Sequence, residues 1–141
     1  MLKVGIIFPM QEEIDALKKY LTIEKEYNIF ELTFYEGILS GVHVVLVQCG
    51  VGKVNAARVT QILIDNIKVD YIFNIGVAGG VDESLSVGDI VLGEKLVQHD
   101  FDITAFDHEK GYIPSVGTYI DCDTYLLTVA ASVLKKMEDA S

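Results

Sequence analysis

A single arginine, Arg58, stands in a chain of 141 residues with a net charge of −10. Nucleic acid and anionic membranes call for a dense positive surface, so neither is expected as a partner. Cysteine is scarce as well. Cys49 and Cys122 lie far apart and lack metal-ligand spacing. In a chain that is half hydrophobic they read as reduced structural thiols rather than a disulfide scaffold. No apolar run approaches the roughly 20 residues of a membrane span. The first, Val4 to Phe8, is too short for the apolar core of a secretory signal and stops at Pro9. Cytoplasmic residence is the resulting expectation. Internal repeats, low-complexity tracts and linkers are also missing, which leaves one α/β domain over residues 1–141 as the expected organisation.

What is present alternates between strand and helix signals. Leu2 to Phe8 reads as a buried strand, and Pro9 suits a helix start. Ile14, Leu17 and Leu21 then recur at helical spacing, with Gln11, Glu12 and Glu13 in the first turn. Phe30–Leu39 and Val42–Gln48 flank Ser40-Gly41 and predict a hairpin. Lys53 to Asn66 predicts a helix with Val54, Ala57, Ile62 and Leu63 toward a core. Strands are expected over Tyr71–Ile75 and Asp89–Val97, with a loop over Val81–Gly88 between them. An irregular stretch follows over His99–Thr118, then a helix over Asp123–Met137 with Asp123 as N-cap. This order predicts α/β architecture with a mixed sheet.

Three segments fall where strands end. Asn74-Ile75-Gly76-Val77-Ala78-Gly79-Gly80 leaves the backbone bare, so a flat or anionic ligand could approach its N–H groups. In open α/β sheets such sites lie at the carboxyl ends of strands. Gly50-Val51-Gly52-Lys53 is followed by valine rather than Ser/Thr and lacks a third glycine. It matches neither a phosphate loop nor a dinucleotide fingerprint, and a tight strand-to-helix turn is the plainer reading. Glu13, after the first strand, could serve as general base toward a water. Acidic first turns are common, however, and without context a surface glutamate is the default; Glu12 is expected to be solvated. His99-Asp100-Phe101-Asp102 is a poor metal set, so no metal or other cofactor is expected and a structural role is favoured. Ile103, Phe106 and Pro114 in the long irregular stretch could cap a ligand or a partner subunit, or simply tether the loop.

Taken in order, several segments together resemble the 5′-methylthioadenosine/S-adenosylhomocysteine nucleosidases of the nucleoside phosphorylase-like superfamily. They are Val4-Gly5-Ile6-Ile7, Met10-Gln11-Glu12-Glu13, Phe34-Tyr35-Glu36-Gly37, Gly50 to Ala57, Asn74 to Gly80, Val87-Gly88-Asp89-Ile90-Val91 and His99 to Phe106. The resemblance implies a three-layer phosphorylase/hydrolase-like fold with a central mixed sheet, here the amino-terminal portion, truncated on its C-terminal side. It also implies hydrolysis of the N-glycosidic bond of an adenine nucleoside, with release of adenine. Glu13 matches the family's water-activating glutamate, and Met10, Val51, Ala78 and Gly79 match positions around ribose and base. Val77 stands in the same pocket where the family has serine. Ile103, Phe106 and Pro114 match a loop that reaches the partner subunit's pocket, which implies a homodimer. The family's catalytic acid and its ribose-binding glutamate match no residue of this chain, so the chain by itself is expected to be inactive.

Two other readings stand beside this one. A phosphorylase of the same superfamily would need a cationic clamp for phosphate, best supplied by arginine. Its members carry one soon after the first strand, where this chain has Met10-Gln11-Glu12-Glu13. A non-catalytic binding or dimerisation module of the same fold is the alternative from another class. Methylthioadenosine, adenosylhomocysteine, 5′-deoxyadenosine and larger adenine nucleosides are all compatible with the sequence.

Overall fold

The computed structural model describes residues 2–138, in two compact units that divide after Gly79. The first unit carries a five-stranded sheet in the order β2-β3-β4-β1-β5. Its strands are β1 (Lys3–Phe8), β2 (Thr22–Ile29), β3 (Leu32–Leu39), β4 (Val42–Gln48) and β5 (Tyr71–Asn74). β1 runs parallel to both β4 and β5, whereas β2, β3 and β4 form an antiparallel meander. The sheet is therefore mixed.

Side-chain alternation along the central strands sorts the core into two layers. Val4, Ile6 and Phe8 point to one face with Val44 and Leu46, where they meet Ile14 and Leu17 of α1 (Gln11–Lys18). Ile7 points to the other with Val45, Val47 and Phe34, under Val59 and Ile62 of α2 (Lys53–Ile62) and Leu63 just beyond it. One helix on each face makes the three layers α/β/α. Because β1 is covered on both sides, it reads as a nearly unbroken apolar run.

Several local expectations are corrected here. Residues 22–29 form an edge strand that the sequence reading missed, because Thr22-Ile-Glu-Lys-Glu-Tyr is too polar to stand out; an edge strand with one solvated face needs little apolar content. Phe30 is not a strand residue: with Glu31 it makes a turn at positive φ. Pro9 precedes the N-cap Met10 instead of starting the helix, and Leu21 is buried but lies beyond α1. On α2 the core face is Val59 and Ile62, continued by Leu63 just beyond it, while Val54 is 83% exposed and Ala57 is exposed too. The helix loosens to a π-helical turn over Leu63–Ile67 and stops at Lys68, which is left-handed.

The second unit holds a two-stranded antiparallel ribbon, β6 (Lys95–Leu96) with β7 (Ile120–Asp121), a 3-10 turn over Thr104–Phe106, and α3 (Thr124–Glu138). Asp123 caps α3 as expected, its carboxylate accepting from the Leu126 N–H at 2.9 Å. The strand expected over Asp89–Val97 shrinks to two residues. Ile90 and Val91 are exposed, and a β-prone run without a ladder neighbour does not become a strand. Both cysteines are free thiols, and among the described residues no helix is long and apolar enough to cross a membrane.

Candidate active site

The carboxyl ends of the three parallel strands, β4, β1 and β5, lie side by side with β1 in the middle. The chain leaves β1 into a helix on one face and leaves β4 into a helix on the other. A crevice at such a reversal is where open α/β sheets bind ligands. Backbone hydrogen bonds carry the ladder past the strand ends: Cys49 N–H donates to the Phe8 carbonyl at 2.8 Å and Ile75 N–H to the Ile7 carbonyl at 3.1 Å.

Glu13 spans this edge. As third residue of α1 its side chain folds back, and Oε2 accepts from the Met10 N–H at 2.8 Å. This is half of a capping box, since the methionine at the N-cap returns no comparable hydrogen bond. The other oxygen, Oε1, accepts from the Val77 N–H at 3.1 Å. One carboxylate thus joins the end of β1 to the segment after β5, and each oxygen keeps a lone pair for a further donor. Glu12, one position earlier, is exposed as expected. Burial pushes the Cys49 thiol up, and the neighbouring Glu13 carboxylate adds to the rise.

The glycines around this edge serve different ends. Gly50 and Gly52 have φ of 83° and 108°, a left-handed backbone that favours glycine, and they make the tight turn between β4 and α2. Asn55 Nδ2 donates to the Val51 carbonyl at 2.8 Å and holds that turn. Gly76 is there for room: a Cβ would sit 3.3 Å from Glu13 Oε1 and 3.2 Å from the Pro9 ring. Gly79 has open space around it.

Of the residues singled out in the sequence, Met10, Glu13 and Val77 are brought into direct contact. Val51 and Val77 are 72% and 81% exposed, and Ala78 and Gly79 are exposed beside Val77. Ile103, Phe106 and Pro114 belong to the second unit. There Ile103 precedes the 3-10 turn that Phe106 ends, Phe106 is 76% exposed, and Pro114 is exposed in the irregular segment. Asp102 caps that turn. It accepts from the N–H and hydroxyl of Thr104 at 3.0 and 2.8 Å, and these bonds, with Lys110 nearby, hold its carboxyl below the usual range. The structural reading of the 99–102 run holds for Asp102. Among the described residues no cluster of three or more His, Cys, Asp or Glu is placed to hold a metal ion.

Two features escaped the sequence reading. Val77 contributes through its backbone N–H, which no side-chain pattern reports. The fold-back of Glu13 had a visible signal, a glutamate at the third helical position, but methionine at the N-cap hid the usual Ser/Thr partner. The lone arginine is not at this edge; Arg58 donates to the Phe30 carbonyl in the β2–β3 turn.

Residues 3–140 match the phosphorylase superfamily. The chain belongs to that superfamily. Among its relatives, the 5′-methylthioadenosine/S-adenosylhomocysteine nucleosidase of an Exiguobacterium species is 39% identical over 140 residues, covering 99% of this chain and 60% of the relative. The Colwellia psychrerythraea nucleosidase in complex with adenine superposes with a TM-score of 0.93 at 42% identity, covering 98% of this chain and 57% of that one. Futalosine hydrolase from Helicobacter pylori gives a TM-score of 0.92 at 28% identity over 97% of this chain and 59% of that one. The chain thus spans about three fifths of the length of these superfamily members. The mixed sheet and three layers of the first unit agree with the superfamily fold.

Proposed function

We infer that this chain carries the water-activating side of an adenine-nucleoside hydrolase. The observation that carries the reading is Glu13, a carboxylate fixed by two backbone N–H groups between the ends of β1 and β5. Cleavage of an N-glycosidic bond builds positive charge on the sugar as the base departs, as in glycoside hydrolysis. A carboxylate at this edge would take the proton of a water attacking the anomeric carbon and would oppose the developing charge. Met10, Val51, Val77, Ala78 and Gly79 would line the nucleoside. Val77 makes its part of that wall apolar, and Glu13 gains its donor there from the main chain. Arg58 is engaged in the β2–β3 turn, so among the described residues no arginine stands at this edge as a phosphate nucleophile would favour.

The adenine complex of the Colwellia relative supports adenine as leaving group. Departure of adenine also requires a proton, and by family resemblance the acid that delivers it matches no residue of this chain. General acid catalysis is typically worth about 10²–10⁴-fold. The chain by itself is therefore expected to release adenine at least about 100-fold more slowly than a form extended to the relatives' full length. An assay with methylthioadenosine, adenosylhomocysteine and 5′-deoxyadenosine checks this. Comparable turnover by the two forms would overturn the division of labour.

Ile103, Phe106 and Pro114 are read as a loop offered to a partner subunit, with a homodimer as the assembly. Phe106 at 76% exposure is a large apolar side chain with little reason to face water. Sedimentation equilibrium of the extended form is expected to give a dimer, and Phe106→Asp to weaken it at least 10-fold. A monomer at all concentrations would sink the assignment of this loop.

A further inference from the structure

Glu36 is a buried charged residue of the first unit, 6% exposed on the face of β3 that also carries Phe34. It lies toward the amino ends of β1 and β4, away from the edge that holds Glu13. One residue from each of β1, β4 and β2 converges on it. Lys3 Nζ of β1 donates to Oε1 at 2.9 Å, and His43 Nε2 of β4 lies 2.9 Å from the same oxygen. Tyr27 of β2, stacked on Phe34, bonds to the carboxylate through its hydroxyl. Lys3 and His43 are themselves 24% and 19% exposed at their side chains, so the group is only partly solvated. Two basic side chains share one carboxylate oxygen, and His43 Nε2 is buried without an aligned hydrogen bond. An unprotonated ring nitrogen facing a carboxylate oxygen at this distance would be repulsive, so the contact calls for a proton on Nε2.

We propose that Glu36, Lys3, His43 and Tyr27 form a proton-sensitive clamp, in which one carboxylate gathers the basic side chains of β1 and β4 and fastens the β2–β3 hairpin to the parallel part of the sheet. Lys25, the register partner of Glu36 on β2, shares its face of the sheet but is exposed, and Asp65 and Lys68 at the end of the helical layer are exposed too. Asp70, before β5, accepts from the Lys3 backbone N–H at 2.8 Å and steadies the residue that supplies the ammonium. Burial opposes the charge on Glu36, but the hydrogen bonds from Lys3 and Tyr27 and the positive field of Lys3 and His43 outweigh it and hold the carboxyl below its ordinary value of 4.5. The same carboxylate, after burial, pushes the Tyr27 phenol above its usual range.

A depressed carboxyl stabilises the fold above its unfolded value and loses that contribution as pH falls through its folded value. The clamp is therefore intact at neutral pH; its contribution begins to fall below the ordinary value of 4.5, and it opens as pH drops through the lower folded value. Without Glu36, the ammonium of Lys3 and the ring of His43 would face each other in a partly buried site with no acceptor between them.

Thermal unfolding of the chain between pH 8 and 3 tests this. The natural sequence is expected to lose stability as pH falls below about 4.5, the ordinary value of a glutamate carboxyl. Glu36→Gln is expected to unfold about 10 °C lower at pH 8 and to show a shallower acid-induced fall than the natural sequence. A Glu36→Gln profile that matches the natural one overturns the clamp. If Glu36→Gln fails to fold, Lys3→Met decides: removing the first donor should raise the pH of the acid transition, and an unchanged transition overturns the proposal.

Discussion

Glu13→Gln is expected to lower adenine release by about 10²–10⁴-fold in the extended enzyme, with nucleoside affinity changed by no more than a few-fold. Glutamine has the shape of glutamate but is a far weaker base, so the loss belongs in turnover. The geometry adds a second consequence. Both Glu13 oxygens accept from backbone N–H groups, of Met10 and of Val77. A glutamine can present only one oxygen, so its NH₂ must face one of the two donors. The amide is expected to keep the shorter Met10 bond, within its own helix, and to release the Val77 segment. Glu13→Gln should therefore speed amide hydrogen exchange at Val77 while leaving exchange in α1 unchanged. Glu13→Asp retains a base one methylene shorter and should lose both turnover and the Val77 contact. Near-normal kcat in Glu13→Gln would remove Glu13 as the base. Unchanged exchange at Val77 would show that the bridge across the strand ends does not hold the loop.

Gly37→Ala is expected to destabilise the first unit by roughly 3 kcal/mol or more, the largest stability effect foreseen for so small a change. Gly37 pairs with Ile23 beside a register shift in the β2–β3 ladder. A Cβ built on it would lie 2.1 Å from the Thr22 carbonyl oxygen, 2.9 Å from the Thr22 carbonyl carbon and 3.0 Å from the Ile23 Cα. All three are backbone atoms, so no rotamer change relieves the clash, and β2 must move away from β3. That would pull Tyr27 from Phe34 and from the Glu36 cluster. Gly79→Ala is the control: it has nothing within 4 Å of the added Cβ and should leave the unfolding temperature within a degree or two. Equal stability of the two variants would mean that β2 yields without cost and that the bulge does not constrain the hairpin.

The two replacements probe opposite ends of the sheet, and they differ in how far the sequence announced them. Glu13 stood in a recognisable place, three residues into a helix after a proline-terminated strand. Gly37 sat in a segment that read simply as strand, and glycine in a strand does not say which neighbour comes close. The Glu36 cluster was equally silent, because Lys3, Tyr27, Glu36 and His43 are remote in sequence and no local pattern pairs one with another.

The parallel core strands, the β3–β4 hairpin, α1 and the Asp123 cap of α3 were legible because each depends on local signals: apolar runs, helical spacing, turn glycines and a capping carboxylate. The same holds for the glycine-rich turns at strand ends, which mark a ligand-binding edge before any contact is known. Tertiary structure alone decided the rest. It added β2, whose polar face needs only a hydrogen-bonded neighbour, and it turned Val54 outward, since helical spacing leaves the core-facing side of an apolar helix open. It withheld a strand from Ile90 and Val91, which have the propensity but no paired neighbour. It also joined Glu13 to a main-chain N–H 64 residues away, a bond that depends on the order of strands in the sheet and on no side chain at position 77.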